Sequence, residues 1–151
     1  MTVLEVDVVK AVTAPVAPAF VRRVLTRAAA VPEVAARLPE GASAVAVRIT
    51  DDKEMARLNA TYAGEKHATD VLSFEGDRDH VGDIAISWQA VERQARQFRH
   101  DTKAELALLL VHGLLHLLGW DHARAAERKE MNRLTVAGLE RSGIKLGPDR
   151  L

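Results

Sequence analysis

Three of the six histidines in this 151-residue chain fall within eleven residues, at positions 112, 116 and 122. His112 and His116 are four residues apart in an apolar run that predicts a helix, so they project from one face, one turn apart. Gly119 is typical of a helix end and lets the chain bring His122 around. Three neutral imidazoles without a fourth protein ligand indicate a catalytic zinc site with an open position. We therefore predict one Zn²⁺ per chain, held by all three histidines, with His112 as a metal-bound catalytic residue.

The alternative is that these histidines are hydrogen-bonded members of the core. Burying three imidazoles is costly because each ring nitrogen needs a partner, whereas one zinc ion satisfies one nitrogen of each ring. The spacing therefore favours the metal. The peptidase motif H-E-x-x-H has a glutamate general base after its first histidine, and this chain has Gly113 there. Peptidase chemistry is therefore disfavoured.

Several polar residues are candidates for the surroundings of the histidines. Asp121 either caps the last helix or orients an imidazole by hydrogen bonding, and we favour these roles over proton transfer. Thr69, Ser73 and Asp83 could line the site, or they could serve strand hydrogen bonding and capping. Trp120 is expected to be a packing residue.

Composition limits the class of protein. Lys+Arg and Asp+Glu both number 21 and there is no cysteine, which argues against a nucleic-acid coat, a membrane-surface protein, disulfides and thiolate metal sites. The N-terminus has no signal-peptide pattern, and the apolar run 106–118 is too short to span a bilayer. We therefore expect a cytoplasmic protein without membrane contact and, by default, a monomer.

The periodicity predicts an α+β fold in which residues 1–151 form a single domain. A small mixed four-stranded sheet is expected to pack with about five helices, one of them buried and carrying two of the histidines. Asp51 or Asp52 and Ser87 are candidate helix caps, and Thr102 with Glu105 fits a capping box at the start of the histidine helix. The expected elements are strands at 4–9, 45–49, 71–74 and 82–87, a hairpin between the last two, and helices at 17–30, 51–59, 87–98, 102–118 and 123–142.

The segment 112–122 resembles the YbeY endoribonuclease family, whose hallmark reads H-G-x-L-H-L-x-G-x-D-H. Further matching blocks are Leu58-Asn59 with Tyr62, residues 69–74 (TDVLSF) and residues 82–87 (GDIAIS), and Glu105-Leu106 and Met131 also fit. The resemblance implies a zinc-dependent endoribonuclease that acts on small-subunit ribosomal RNA, in three-prime end maturation and ribosome quality control. Its implied partners are ribosomal RNA and the small ribosomal subunit.

One position departs from the family pattern. Members usually carry an arginine after the tyrosine, and this chain has Ala63 there. Alanine cannot contact phosphate, so either another cation takes the role or nuclease activity is reduced. Lys66 is the candidate replacement, although it could equally be a solvated loop residue.

Two arginine clusters, 93/96/99 and 22/23/27, could contact RNA phosphates, although charged helix faces are usually only solvated. Two other functions stay open at this stage. One is a non-catalytic ribosome-assembly factor that contains zinc, which Ala63 favours. The other is a metal-dependent hydrolase of another substrate.

Overall fold

The computed structural model describes residues 3–63, 69–121 and 123–151. Among them lie four strands and six α-helices, which confirms the predicted α+β class with a mixed four-stranded sheet. The elements in chain order are β1 (Val3–Lys10), α1 (Pro18–Ala28), α2 (Pro32–Ala35), β2 (Ala42–Thr50), α3 (Asp52–Leu58) with a π-helical turn (Asn59–Ala63), β3 (Val71–Glu75), β4 (His80–Ser87), α4 (Trp88–Phe98), α5 (Thr102–Leu117) and α6 (Ala125–Glu140).

The sheet has the strand order β1-β2-β4-β3. β1 and β4 both run parallel to β2, and β3 pairs antiparallel with β4 as the predicted hairpin. The central strands carry fully buried apolar residues such as Val45, Ile49 and Ile86, as expected of parallel strands covered by helices. β3 is an edge strand, so one side of it is left open for a cavity.

The histidine helix α5 lies at the centre of the molecule. Twelve of its sixteen residues are buried, and it contacts α1, α4, α6, β3 and β4. A helix that is apolar nearly all round is stable only inside a core. Its two histidines are therefore held on the most constrained element of the fold.

Local signals placed most helix ends correctly. The side chains of Asp51 and Ser87 accept hydrogen bonds from the backbone N–H groups of Glu54 and Ala90, at 2.9 and 3.1 Å, and so cap α3 and α4. The predicted capping box of α5 is wrong. Its cap is Asp101, which accepts from the N–H of Ala104 at 2.7 Å. Asp101 and Thr102 are both residue types that cap helices. The burial of Glu105 favours the cap at Asp101 over a capping box between Thr102 and Glu105.

Two other differences from the predictions are small. The loop predicted after α1 contains α2, which starts at Pro32, a residue suited to the first turn of a helix. The segment from Tyr62, predicted as a loop, begins inside the π-helical turn that extends α3. No helix among the described residues is long and apolar enough to cross a membrane.

Candidate active site

His112 and His116 converge on each other. Their Nε2 atoms are 3.1 Å apart and the ring planes are inclined at 76°. Two nitrogens bound to one tetrahedral zinc ion at about 2.05 Å are about 3.3 Å apart. The spacing of the pair therefore fits two neighbouring ligands of a zinc ion, and imidazole nitrogens are ligands that zinc accepts.

The third predicted ligand, His122, lies outside the described residues, and so does Lys66. Within the described ranges no three His, Cys, Asp or Glu side chains are arranged to hold a metal ion. Ala63 closes the π-helical turn, immediately before residues 64–68, which are not described. The structure thus brings together two of the three predicted ligands.

A cavity of about 530 Å³ opens beside the histidine pair. α5 contributes His112, His116 and Leu117 to its wall, and the opposite wall consists of residues 69–73 and Glu75. Thr69 and Ser73 therefore lie at the site as predicted. The hydroxyl of Ser73 already donates a hydrogen bond to the carbonyl oxygen of Gly113, at 3.1 Å.

Asp83 was a candidate for the same cavity, and that prediction is wrong. It lines a different cavity, with Tyr62 and Phe74, and its carboxylate contacts His80 Nε2 at 3.1 Å. Ile84, its neighbour on β4, pairs with Ser73 and faces α5. Successive strand residues point to opposite faces, so Asp83 must face away from the histidines.

Gly113 allows α5 to approach the sheet closely. A Cβ atom added there would lie 2.9 Å from Cγ2 of Ile84. The residue after the first histidine thus faces the sheet. A glutamate base at this position would meet β4, so the structure supports the argument against peptidase chemistry.

The turn after α5 is built by Gly119 and Trp120. Gly119 has φ +97°, and the backbone N–H of Trp120 donates to the carbonyl oxygen of Leu115 at 3.0 Å, a six-to-one bond that ends a helix. Trp120 is 6% exposed and belongs to the core cluster, in agreement with the packing role predicted for it. Arg37 covers its ring, with Cζ 3.7 Å from the centroid.

Asp121 follows this turn and is exposed. It does not cap α6, because the residue at that helix's N-cap is Arg124. This alternative is therefore wrong, and orientation of an imidazole stays a prediction.

Sequence reasoning missed a buried polar network behind the site. Glu105 is fully buried, and its carboxylate accepts two hydrogen bonds from Arg150, at 3.0 and 2.8 Å. It also contacts His100 Nε2 at 2.7 Å. The N–H of Gly147 donates to His100 Nδ1 at 2.8 Å, so the ring proton is on Nε2 and points at Glu105. The sequence signal that could have indicated this network is Glu105, a charged residue inside an otherwise apolar helix.

This network extends to the cavity wall. Arg150 donates to Gln94 Oε1 at 3.2 Å, and Gln94 donates from Nε2 to Asp70 at 3.2 Å. The other Asp70 oxygen accepts from the N–H of Val71 at 2.8 Å, which fixes the start of β3. The wall opposite the histidines is thereby tied to the segment that follows α6.

Two of the predicted RNA-binding arginines are engaged within the protein, one by an ion pair and one by a backbone hydrogen bond. Arg93 contacts Asp52 at 2.7 Å, and Arg22 donates to the carbonyl oxygen of Val6 at 3.1 Å. Arg99 lies just beyond α4 in a left-handed conformation, so it does not continue the helix face of Arg93. Neither cluster therefore acts as an intact stripe of solvated cations.

Two carboxylates of α3 have lowered pKa values. Hydrogen bonding to Arg48 lowers the pKa of Glu54 to about 2, and Thr50 and Arg57 contribute. Hydrogen bonding to Arg93 lowers the pKa of Asp52, with help from the hydroxyl of Ser87. These pairs tie α3 to β2 and α4.

Comparison with known proteins gives consistent matches. The family model described as Endoribonuclease YbeY matches residues 10–143. A relative from Roseiflexus castenholzii named Endoribonuclease YbeY is 39% identical, over 93% of this chain and 96% of the relative. One of the same name from Chloroflexus aurantiacus is 44% identical, over 76% of this chain and 86% of the relative. A solution structure of a Thermotoga maritima protein has the same fold, with a TM-score of 0.63 at 24% identity over 91% of this chain and 88% of that one.

The fold, the histidine pair and these matches define the class as endoribonuclease. The chain belongs to the YbeY family, as the resemblance of its histidine segment predicted.

Proposed function

We propose that this protein is a zinc-dependent endoribonuclease that cuts precursors of small-subunit ribosomal RNA near their three-prime end. His112, His116 and His122 are the proposed ligands of one zinc ion. The 3.1 Å separation of the Nε2 atoms of His112 and His116 carries the metal part of the proposal. The ribosomal substrate, the role in ribosome quality control, the small subunit as partner and the cytoplasm as location rest on the family resemblance.

When bound, zinc supplies a Lewis acid that makes water nucleophilic near neutral pH and polarises a phosphoryl oxygen. The protein's own contribution is positional. α5 holds both imidazoles on one face, and binding requires each to be neutral with its Nε2 lone pair directed at the shared point. Thr69 offers a hydroxyl in the cavity wall that is suited to donate to a phosphate or ribose oxygen, and the Ser73 hydroxyl, whose proton goes to Gly113, is suited to accept from a ribose hydroxyl.

The cavity offers groups that can hydrogen-bond to an RNA strand. It lies beside the edge strand β3, and its walls combine hydroxyls and the carboxylates of Asp70 and Glu75 with the two imidazoles. The matches to proteins named Endoribonuclease YbeY favour a nuclease over a hydrolase of small metabolites.

The test uses purified protein with measured zinc content and a ribosomal RNA precursor that extends past the mature three-prime end. We expect cleavage by the wild type and none by His112→Ala. The control is Arg141→Ala, which removes an exposed side chain outside the cavity wall. RNA or ribosome binding without cleavage by the wild type would contradict the proposal and indicate an assembly factor instead.

A further inference from the structure

We propose that Arg37 forms a binding site for a phosphodiester group of single-stranded RNA, next to the histidine cavity. The inference rests on the proposed function, because it concerns how the substrate of that site is held. Arg37 lies in the segment between α2 and β2, far from the histidines in sequence.

The guanidinium of Arg37 is held in place by the turn that ends the histidine helix. It stacks on the buried ring of Trp120, and its Nη1 donates to the carbonyl oxygen of Leu118 at 3.2 Å. A guanidinium has five N–H donors. Among the described residues, the bond to Leu118 is the hydrogen bond that the Arg37 side chain donates. Its remaining donors are available for a ligand.

Arg37 also differs in charge pairing from several other arginines of the chain. Arg48, Arg93, Arg133 and Arg150 all contact carboxylates. In the part of the chain that the structure describes, Arg37 has no carboxylate within salt-bridge distance. A phosphate can therefore bind it without breaking an ion pair, and little side-chain entropy is lost because the guanidinium is already oriented.

The position of Arg37 connects it to the histidines. It lines a cavity of about 340 Å³ together with Arg78, His80 and Glu75. Glu75 and Leu117 also line the cavity of the histidine pair, so the two spaces share a wall. An RNA strand lying along both would present one phosphate to the histidines and another to Arg37.

Arg37 is the cation of the second cavity that is left for an anion. The charged side chains in the lining are Arg37, Arg78 and Glu75, and Arg78 lies 3.9 Å from the carboxylate of Asp77. Bidentate hydrogen bonding to phosphate is the geometry to which a guanidinium is best suited. Glu75 opposes anions on its own side and so favours placement of the phosphate against Arg37.

The test measures binding of a fluorescent single-stranded RNA by anisotropy across a salt series, with the zinc-loaded protein. Arg37→Met is the main variant because it removes the charge and keeps a side chain over Trp120. Arg37→Lys tests whether a point charge suffices. Arg141→Ala is the control, since it removes an exposed arginine that lines neither cavity.

We expect Arg37→Met to weaken RNA binding by about 10- to 150-fold, the range for a hydrogen bond to a charged group. The slope of log affinity against log salt should fall by about 0.7, the value for one phosphate contact on a single strand. Arg37→Lys should lose less affinity, and Arg141→Ala should match the wild type. In cleavage assays the loss should appear in KM rather than in kcat.

Equal affinity and equal salt slope for Arg37→Met and the wild type would overturn the proposal. A loss of affinity that tracks a loss of thermal stability, with an unchanged salt slope, would also overturn it. Failure of the proposed function is a separate result. A wild type that binds RNA in an Arg37-dependent way but cuts no RNA would refute the nuclease and leave the phosphate site standing.

Discussion

His112 and His116 are ordered by their helix, and the proposed metal site depends on both rings. Their Nε2 atoms are 3.1 Å apart, and no other element within the described ranges adds a third side chain that could bind the same metal ion. The geometry of two histidines at i and i+4 therefore fits half of the proposed tetrahedral site from local structure alone.

We expect His116→Ala to lose stoichiometric zinc, because the remaining imidazoles cannot complete the site. His80→Ala should keep it. Metal content after gel filtration, measured by mass spectrometry, checks both. Full zinc retention by His116→Ala would contradict the ligand assignment.

Gly113 is required for packing. We expect Gly113→Ala to destabilise the fold by about 1–2 kcal/mol, because overpacking against Ile84 outweighs the gain in helix propensity. Urea denaturation measures the change. Gly138→Ala in α6 is the matched comparison and should cost less, since its Cβ would lie 3.2 Å from the Cβ of Ala28. A stabilised Gly113→Ala variant would show that α5 can move away from the sheet.

At the scale of elements, α5 is anchored at both ends by contacts with other segments. Asp101 caps its start, Gly119 ends it, and Glu105 ties its first turn to the segment after α6. An apolar helix would otherwise be free to rotate or slide among equivalent leucine contacts. The buried polar contacts therefore favour the one rotation that directs both histidines at the cavity.

Removing one member of the buried Arg150–Glu105 pair should destabilise the protein more than removing both members. We expect Arg150→Met to destabilise the protein by about 3 kcal/mol, because it leaves the Glu105 carboxylate buried without its main partner. The double variant Arg150→Met with Glu105→Gln should recover part of that loss. Chemical denaturation of the single and double variants measures the coupling energy. Additive changes in the free energy of unfolding would show that the two side chains do not interact.

For the whole molecule, the carboxylates of α3 predict how stability changes with acid. The pKa of Glu54 is lowered to about 2 in the folded protein, so its stabilising contribution is complete above the unfolded value near 4.5. That contribution is lost as the pH falls from about 5 through about 2. Asp52 changes in the same direction.

We expect Glu54→Gln to reduce stability by about 1 kcal/mol at pH 7, since the pair lies near the surface, and by less at pH 3. Thermal melts of both proteins at the two pH values measure the difference. Glu92→Gln on the exposed face of α4 is a control for charge removal. An equal effect of Glu54→Gln at both pH values would contradict the assigned ion pairs.

Much of the fold could be predicted because its signals are local. Alternation placed the strands, polar caps placed the starts of α3 and α4, and glycine placed the end of α5. The cap of α5 was misjudged because Asp101 and Thr102 are equally suitable by local rules. The partners of Glu105 lie at positions 100 and 150, and no local pattern predicts that contact.

The sequence by itself determined the histidine spacing, the fold class and the family, because these depend on residue order over short distances. Tertiary structure decided what faces the histidines. It placed Thr69 and Ser73 in the cavity wall, turned Asp83 to the other face, and brought Arg37 onto the turn after α5. The physical reason is that contacts between distant segments depend on how helices pack against the sheet, and that packing is settled only when the whole core is assembled.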